Sequence, residues 1–578
     1  MNKNWLAAGL MVVGLTAVSA EAQTIYPLDR AEILAGSRFD FKVEFPGAPS
    51  RGAVTVTING REAAVVLGRS ASFIEHEDGQ DYAAYTVRGG TITAPGRYVV
   101  EARDGTHTAR VAWEVFGTPA RRAKNVILFI GDGMSVAHRT AARVLSKGLV
   151  EGRYGGELAI DDMPHMALIS TSGTDSIVTD SANSMSAYTT GHKSCNNALG
   201  VYCARNKHPL DHPKVETLGE LAKRKGLALG VVTNTEIEDA TPAGMVSHIR
   251  LRWEFNDIVA MFHTVKPEVI LGGGSVNFWP KSTAGSKRTD EDDYVKKFEA
   301  DGYRHVTTLT ALNAAVASGA PRLLGLFNTG NIDGALDRRV LKKGTVDKFP
   351  DQPDLVDQTR AALAVLSKAP NGFVLMVESG RIDKYTHSLD WELAAFDTIM
   401  LDNAVKLAKT FAGTRDDTLI IVVPDHAHPV SIVGTYDDER PGDTLRSKLG
   451  IYAASKFPNY PPADAEGYPP SVDASRRIAF VFGAMPDHCD TGRPHLEGEN
   501  RPTAPGTEAK TFVANEKNCD VPGAARRTGN LPLSSAAGVH AADDVILTAM
   551  GPGSEMFRGR LDNTRVFRVI TTALGFGK

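Results

Sequence analysis

The sequence has no C-x-x-C pair, no apolar stretch of membrane-spanning length after Val18, and no large surplus of either charge. Each absence removes a class of function. Four cysteines without such a pair argue against zinc held by thiolates. A formal net charge of -4 gives no general attraction to nucleic acid or to anionic membranes, so neither is an expected partner. An anionic substrate stays open, because a metal ion can reverse the sign of a local site. The 42% apolar and 23% charged composition is that of a soluble globular protein. A chain of 578 residues exceeds one compact core, so two or more domains are expected.

The N-terminus is where an apolar run does occur. Lys3 precedes Trp5 to Val18, and Ala20-Glu21-Ala22 offers an A-x-A cleavage site. The run is shorter than the ~20 residues of a membrane span. Residues 1–22 therefore read as a cleaved signal peptide, and the mature protein as periplasmic or secreted. The cysteines suit such an oxidising compartment. Cys195 with Cys203, and Cys489 with Cys519, could each staple a loop, although spacing alone does not choose among the three possible pairings.

Residues 25–117 read as a small all-β, immunoglobulin-like sandwich. Phe39, Phe41, Val43 and Phe45 alternate with Asp40, Lys42 and Glu44, which predicts a strand with one buried face. Val54, Val56 and Ile58 alternate up to the turn pair Asn59-Gly60, and Val111, Trp113 and Val115 alternate again. Residues 118–123 read as a linker. From residue 124 to 578 the texture changes to continuous apolar runs at Val126–Ile130, Leu227–Val232, Phe373–Val377, Leu419–Val423 and Val545–Ala549, with helical stretches between them. Such runs mark strands buried on both faces, hence an α/β fold with a mostly parallel central sheet covered by helices. A region at about 430–535, rich in Pro, Gly and charge, reads as an insertion.

In an open α/β sheet the ligand site lies beyond the carboxyl ends of the strands. Polar clusters stand just after several of the runs. Asp132 follows Ile130 between two glycines and can hold a cation, although alone an aspartate in a turn explains it equally well. Asp180-Ser181 opens a helix through Thr190, where free N–H groups favour a phosphate; alone, a helix cap is the simpler account. Glu238-Asp239-Ala240-Thr241-Pro242 is followed by Arg252, and here Thr241 could simply cap a helix begun by Pro242. In Glu378-Ser379-Gly380-Arg381-Ile382-Asp383 the aspartate is four residues from His387, so on one helical turn both face one ion. Asp425-His426-Ala427-His428 closes the set.

Together these stretches resemble the alkaline phosphatase family: NVILFIGDGM from Asn125, VTDSANSMSAYTTG from Val178, EDATPAGMVSHIRLR from Glu238, VESGRIDKYTH from Val377 and PDHAH from Pro424. The resemblance runs from about Lys124 to Gly577, apart from the insertion and some loops. It implies a phosphomonoesterase acting on small phosphate monoesters through a phosphoserine at Ser181, with two zinc ions and one magnesium ion, in a possible homodimer. Asp425 and His426 would hold one zinc, beside Ser181. Asp383, His387 and a histidine near the C-terminus would hold the other. His540 is chosen because it precedes the last core strand, with His428, His488 and His495 as rivals; His428 reads better as a partner of a carboxylate. Asp132, Thr241 and Glu378 would form the magnesium site. Arg252 would grip the phosphoryl oxygens, oriented by Asp180, while Asp239 and Lys384 match positions near the magnesium and the phosphate.

The rivals are a phosphodiesterase of the same superfamily, a sulfatase, and a non-catalytic surface binding protein. Ser181-Ala182-Asn183-Ser184 is not the C/S-x-P-x-R segment of a sulfatase. The full set of ligand-type residues argues against a binding module.

Overall fold

The computed structural model describes residues 23–493, 495 and 501–577; the expected signal peptide lies outside them. Two sheets make up the N-terminal region. Its strands are β1 Thr24–Tyr26, β2 Glu32–Leu34, β3 Arg38–Pro46, β4 Thr55–Ile58, β5 Arg61–Glu62, β6 Ser72–Ile74, β7 Tyr82–Thr91, β8 Gly96–Arg103 and β9 Thr108–Phe116. They pair in the orders β1-β3-β7-β6 and β2-β9-β8-β4-β5. Trp113 fills the space between the sheets, edge-on to Phe39 and Phe41, with its indole N–H on the Pro27 carbonyl at 3.0 Å. Burying a Trp requires such a partner.

The period-2 pattern of β3 holds, but its polar face is not in water. Asp40, Lys42 and Glu44 are all buried, Lys42 completely. That face packs on residues 202–216 of the larger region. Lys42 Nζ lies 3.0 Å from Glu44, 2.6 Å from Glu77 and 2.7 Å from Asn206 Oδ1. Tyr202 and Val215 join the apolar core of the β sandwich itself. Removing the cation would strand two carboxylates in a poorly hydrated contact. Lys42→Ala is expected to lower stability by ~3–5 kcal/mol, read as a shift of the denaturant midpoint. A shift too small to separate from the parent would show that the pairing carries no weight.

The large sheet contains β10 Asn125–Gly131, β11 His165–Ser170, β12 Ala228–Glu236, β13 Val269–Gly273, β14 Arg304–Val306, β15 Leu323–Leu326, β16 Phe373–Ser379, β17 Thr418–Val423, β18 Val545–Met550 and β19 Arg560–Asp562. Their order is β14-β15-β13-β12-β16-β10-β17-β18-β11-β19. Only β18 runs against the rest, antiparallel to both β17 and β11. Helices cover both faces, and the strand side chains divide between two cores. Val126, Leu128 and Ile130 of β10 enter one, and Ile127 and Phe129 enter the other. Two apolar faces per strand are why these segments read as unbroken apolar runs.

Residues 118–123 are not a free tether. Arg122 and Ala123 donate backbone N–H bonds to the Ala573 carbonyl, and Gly577 N–H reaches Thr118 Oγ1 at 2.9 Å. In the region following β17, strands Val430–Asp437 and Arg476–Phe482 pair antiparallel, and a disulfide joins Cys489 to Cys519. A second disulfide joins Cys195 to Cys203. Among the described residues no helix is long and apolar enough to cross a membrane.

Candidate metal centre and active site

The four adjacent central strands β12, β16, β10 and β17 deliver their following residues to one end of the sheet. Asp132 follows β10, Thr241 lies beyond β12, Glu378 is the penultimate residue of β16, and Asp425 and His426 follow β17. Because β18 is reversed, the residues that precede it arrive at the same end, which brings His540 into the group. Helix α1, Ser181–Thr190, starts over this cluster with Asp180 as its N-cap, accepting from Asn183 N–H at 3.1 Å. Helix α2, Arg381–His387, carries Asp383 and His387 one turn apart, with Asp383 Oδ1 3.3 Å from His387 Nε2.

Two foci result. His426 Nε2 lies 3.3 Å from Asp132 Oδ1, 3.3 Å from Asp425 Oδ2 and 3.3 Å from the Ser181 hydroxyl. At the second focus Asp383 Oδ1 meets His428 Nε2 at 2.7 Å and His540 Nε2 at 3.4 Å, while His387 and His540 bring their Nε2 atoms within 3.1 Å of each other. Asp132, Asp425 and His426, and likewise Asp383, His426, His428 and His540, each offer one ligand atom within 4.8 Å of the others. The rival histidines are elsewhere: His488 bonds the Pro486 carbonyl and His495 faces Glu392 at 2.8 Å.

The chemistry of these atoms fits divalent cations. His387 Nδ1 is 2.6 Å from the Gly538 carbonyl and His540 Nδ1 is 2.8 Å from the Thr179 carbonyl. A carbonyl accepts only from N–H, so each Nδ1 carries a proton and each Nε2 is the ring atom turned toward Asp383. Two imidazole Nε2 atoms and a carboxylate oxygen converging at about hydrogen-bond distance are a donor set that suits a divalent cation. At the other focus Asp132 Oδ1 and Asp425 Oδ2 are buried without a hydrogen-bond partner, as is Thr241 Oγ1 beyond β12. Buried oxygens of this kind are rare unless an ion or water satisfies them. Thr241 is not the helix cap that the sequence allowed. Asp239 caps Ala240–Ala243 instead, and the buried Thr241 hydroxyl makes no hydrogen bond.

Burial, reinforced by Asp425, Asp383 and Glu378, raises Asp132 well above the usual carboxylate range. Glu378 is pushed up to about 7 and Asp425 to about 6, mainly by burial in both cases. Asp383 is the exception. Burial opposes its charge, but His387, His428 and His540 outweigh burial and hold it well below the usual range. Burial, then His540, keeps His426 neutral and so competent to ligate.

Beside the first focus lies a cationic fork. Arg252 Nη1 donates to Asp180 Oδ2 at 3.2 Å and Nη2 to Asp239 Oδ1 at 2.7 Å, and Lys384 Nζ is 2.7 Å from Asp239 Oδ2. Burial opposes the charge on Asp239, but Lys384 and Arg252 overcome it and keep the carboxyl ionised.

Comparison with known proteins matches residues 123–576 to the family model described as alkaline phosphatase. The chain belongs to the alkaline phosphatase family. The Escherichia coli (strain K12) alkaline phosphatase is 34% identical over 410 residues, 64% of this chain and 83% of that enzyme. The solved alkaline phosphatase of Thermus thermophilus superposes with a TM-score of 0.56 at 26% identity, covering 80% of this chain and 93% of that one. The alkaline phosphatase of the Antarctic bacterium TAB5 shares the fold, with a TM-score of 0.53 at 21% identity over 78% of this chain and 98% of that one. This chain is accordingly a metal-binding phosphatase with phosphomonoesterase activity.

Some of the supporting residues escape sequence reasoning. Thr233 and Thr235 both donate to Glu378 Oε2, the latter at 3.1 Å. Asn234 Oδ1 accepts from Gly380 N–H at 2.8 Å and from Arg381 N–H at 3.3 Å, closing the start of α2. A polar Thr-Asn-Thr run directly after the apolar half of β12 was the available signal.

Proposed function

We propose that the protein is an exported phosphatase in which Ser181 attacks phosphorus and carries the phosphoryl group, with two zinc ions and one magnesium ion held at the sheet end. The observation that carries this reading is the placing of the Ser181 hydroxyl at the start of α1, 3.3 Å from His426 Nε2 and in the same cluster as the Arg252 fork. Asp425 and His426 would hold one zinc, and Asp383, His387 and His540 the other. Asp132, Thr241 and Glu378 would hold magnesium. A divalent cation supplies Lewis-acid stabilisation of charge on oxygen. The 2.7 Å contact of His428 Nε2 with Asp383 suits a hydrogen bond that orients the carboxylate rather than a ligand bond.

The chain's own residues then divide the work. Ser181 Oγ displaces the leaving oxygen from phosphorus, and water cleaves the phosphoserine to release inorganic phosphate. Free N–H groups at the start of α1 face the negative charge. Arg252, aimed by Asp180 and Asp239, takes two non-bridging oxygens with parallel hydrogen bonds. Two disulfides and the apolar N-terminal run support export to an oxidising compartment, periplasmic or secreted. Assembly as a homodimer is proposed from family likeness.

The test uses matched aryl phosphate monoester and diester substrates. A diester replaces one charged oxygen with a substituent and cannot use the fork fully. Arg252→Ser is therefore expected to slow the monoester by on the order of 10²-fold and the diester much less. Equal losses would mean that Arg252 holds structure, and a parent preference for the diester would overturn the monoester reading.

A further inference from the structure

Arg252 is fixed by more than its two carboxylates. Its backbone N–H donates to the Asn197 carbonyl at 2.9 Å, and Asn197 N–H donates to Asp180 Oδ1 at 3.1 Å. Asp180 Oδ2 is the atom that receives the guanidinium. Asn197 thus ties together the backbone of the arginine and the carboxylate that aims its side chain. Asn197 adopts φ 66°, a left-handed conformation that Asn tolerates better than most residues.

A series of β-bridges leads from this point out to the N-terminal sandwich. Leu199 pairs with Ile249, Val201 with Lys214, and Val215 with Phe39 of β3. Leu199 and Ile249 exchange both N–H bonds at 2.8 Å, and Val215 N–H reaches the Gly200 carbonyl at 2.9 Å. The residues of these rungs other than Lys214 are buried, and the Cys195–Cys203 disulfide closes the loop that carries Asn197. At the outer end Asp40 holds both backbone groups of Lys214. Its N–H donates to the Lys214 carbonyl at 2.8 Å, and its Oδ2 accepts Lys214 N–H at 3.0 Å. Gly89 N–H and Arg88 Nη1, each at 2.8 Å, fix that carboxylate within the sandwich. Tyr26 of β1 adds a hydroxyl bond to the Cys203 carbonyl at 3.1 Å.

We propose that Asp40 and Asn197 are positioning residues for Arg252, so that the N-terminal β domain sets the grip on the phosphoryl group through the disulfide-closed loop. The inference rests on the reading of Arg252 as the phosphoryl clamp. It assigns the β domain a part in catalysis although none of its side chains reaches the metal centre. A clamp displaced by even ~1 Å can cost on the order of 10²-fold in rate, so a partial loosening should be measurable.

The experiment is a double-mutant cycle on the full chain, with monoester kcat/KM and bound zinc measured together. Asp40→Ala in the parent background should lower monoester kcat/KM about 10-fold, scaled from that sensitivity, with zinc content unchanged. In the Arg252→Ser background the same change should cost less than about twofold, because the clamp it positions is gone. Asp40→Asn, which keeps an acceptor for Lys214 N–H, should recover most of the loss. Cys195→Ser with Cys203→Ser loosens the same loop without touching the sandwich and should show the same dependence on Arg252. An equal fold-loss in both backgrounds, or zinc loss in step with activity, would overturn the proposal and reduce the contact to scaffolding. If Arg252→Ser alone leaves monoester turnover intact, the clamp reading fails, and this inference with it, on a result that needs no Asp40 variant.

Discussion

Ser181→Ala is expected to eliminate the phosphoenzyme and to lower turnover of an aryl phosphate monoester by on the order of 10³-fold or more. A phosphoryl group cannot be carried where no hydroxyl is offered, and the neighbouring hydroxyls are committed elsewhere. Ser184 donates to the Asp425 carbonyl at 2.5 Å, and Ser186 donates to the Ala182 and Ala198 carbonyls at 2.9 Å. The fold should survive, because Asp180 rather than Ser181 caps α1. Labelled phosphate trapped at low pH and mapped to peptides tests the assignment, with thermal melting as the control for folding. Label recovered on Thr179, Ser184 or Ser186 would sink it. An unchanged turnover in the folded variant would also do so.

Stripping divalent cations is expected to abolish activity, and zinc with magnesium to restore it. The expectation follows from the clustering of Asp132, Asp383, Asp425 and Glu378, all buried, around the buried imidazoles of His426 and His428. Cations bound only by the folded state also stabilise it, by about 4 kcal/mol at a thousandfold excess over the dissociation constant. Melting temperature should therefore fall together with activity on chelation and return with the metals. Elemental analysis must accompany both measurements. Full activity in protein shown to be metal-free would end the metal-dependent mechanism; a melting temperature indifferent to metal would contradict the proposed ligand set.

The core of the catalytic region was legible because its central strands are buried on both faces. β10, β12, β16, β17 and β18 each contain an unbroken apolar run, and the polar residues after the first four stand out by contrast. β11 was not legible: Met166 and Leu168 are 60% and 45% exposed, so its pattern matches no single strand type. β15 is only four residues, one of them glycine, too short to declare itself. In β3 the alternation correctly announced a strand. Alternation reports that two faces differ in polarity and not that one meets water, and here the charged face meets buried partners from residues 202–216. Thr241 shows the same limit at one residue, since its hydroxyl could serve a helix end or a cation, and the cap at Asp239 removes the first of these readings.

By itself the sequence determined the residue types and the order of the chemistry. A serine opens a helix, carboxylates and histidines follow apolar strands, and a paired Asp383 and His387 lie one helical turn apart, all of which are local features encoded by short-range periodicity. The tertiary structure alone decided which of these converge. His540 joins Asp383 and His387 because β18 is reversed, so its preceding loop lands where the other strands end. Asn234, 146 positions before Gly380, closes α2 because β12 and β16 are neighbours in the sheet. Asp40 reaches toward Arg252 across bridges that join four separate stretches of chain. Contacts of that kind depend on sheet order and docking, which are set by burial summed over the whole molecule and leave no periodic mark in any one segment.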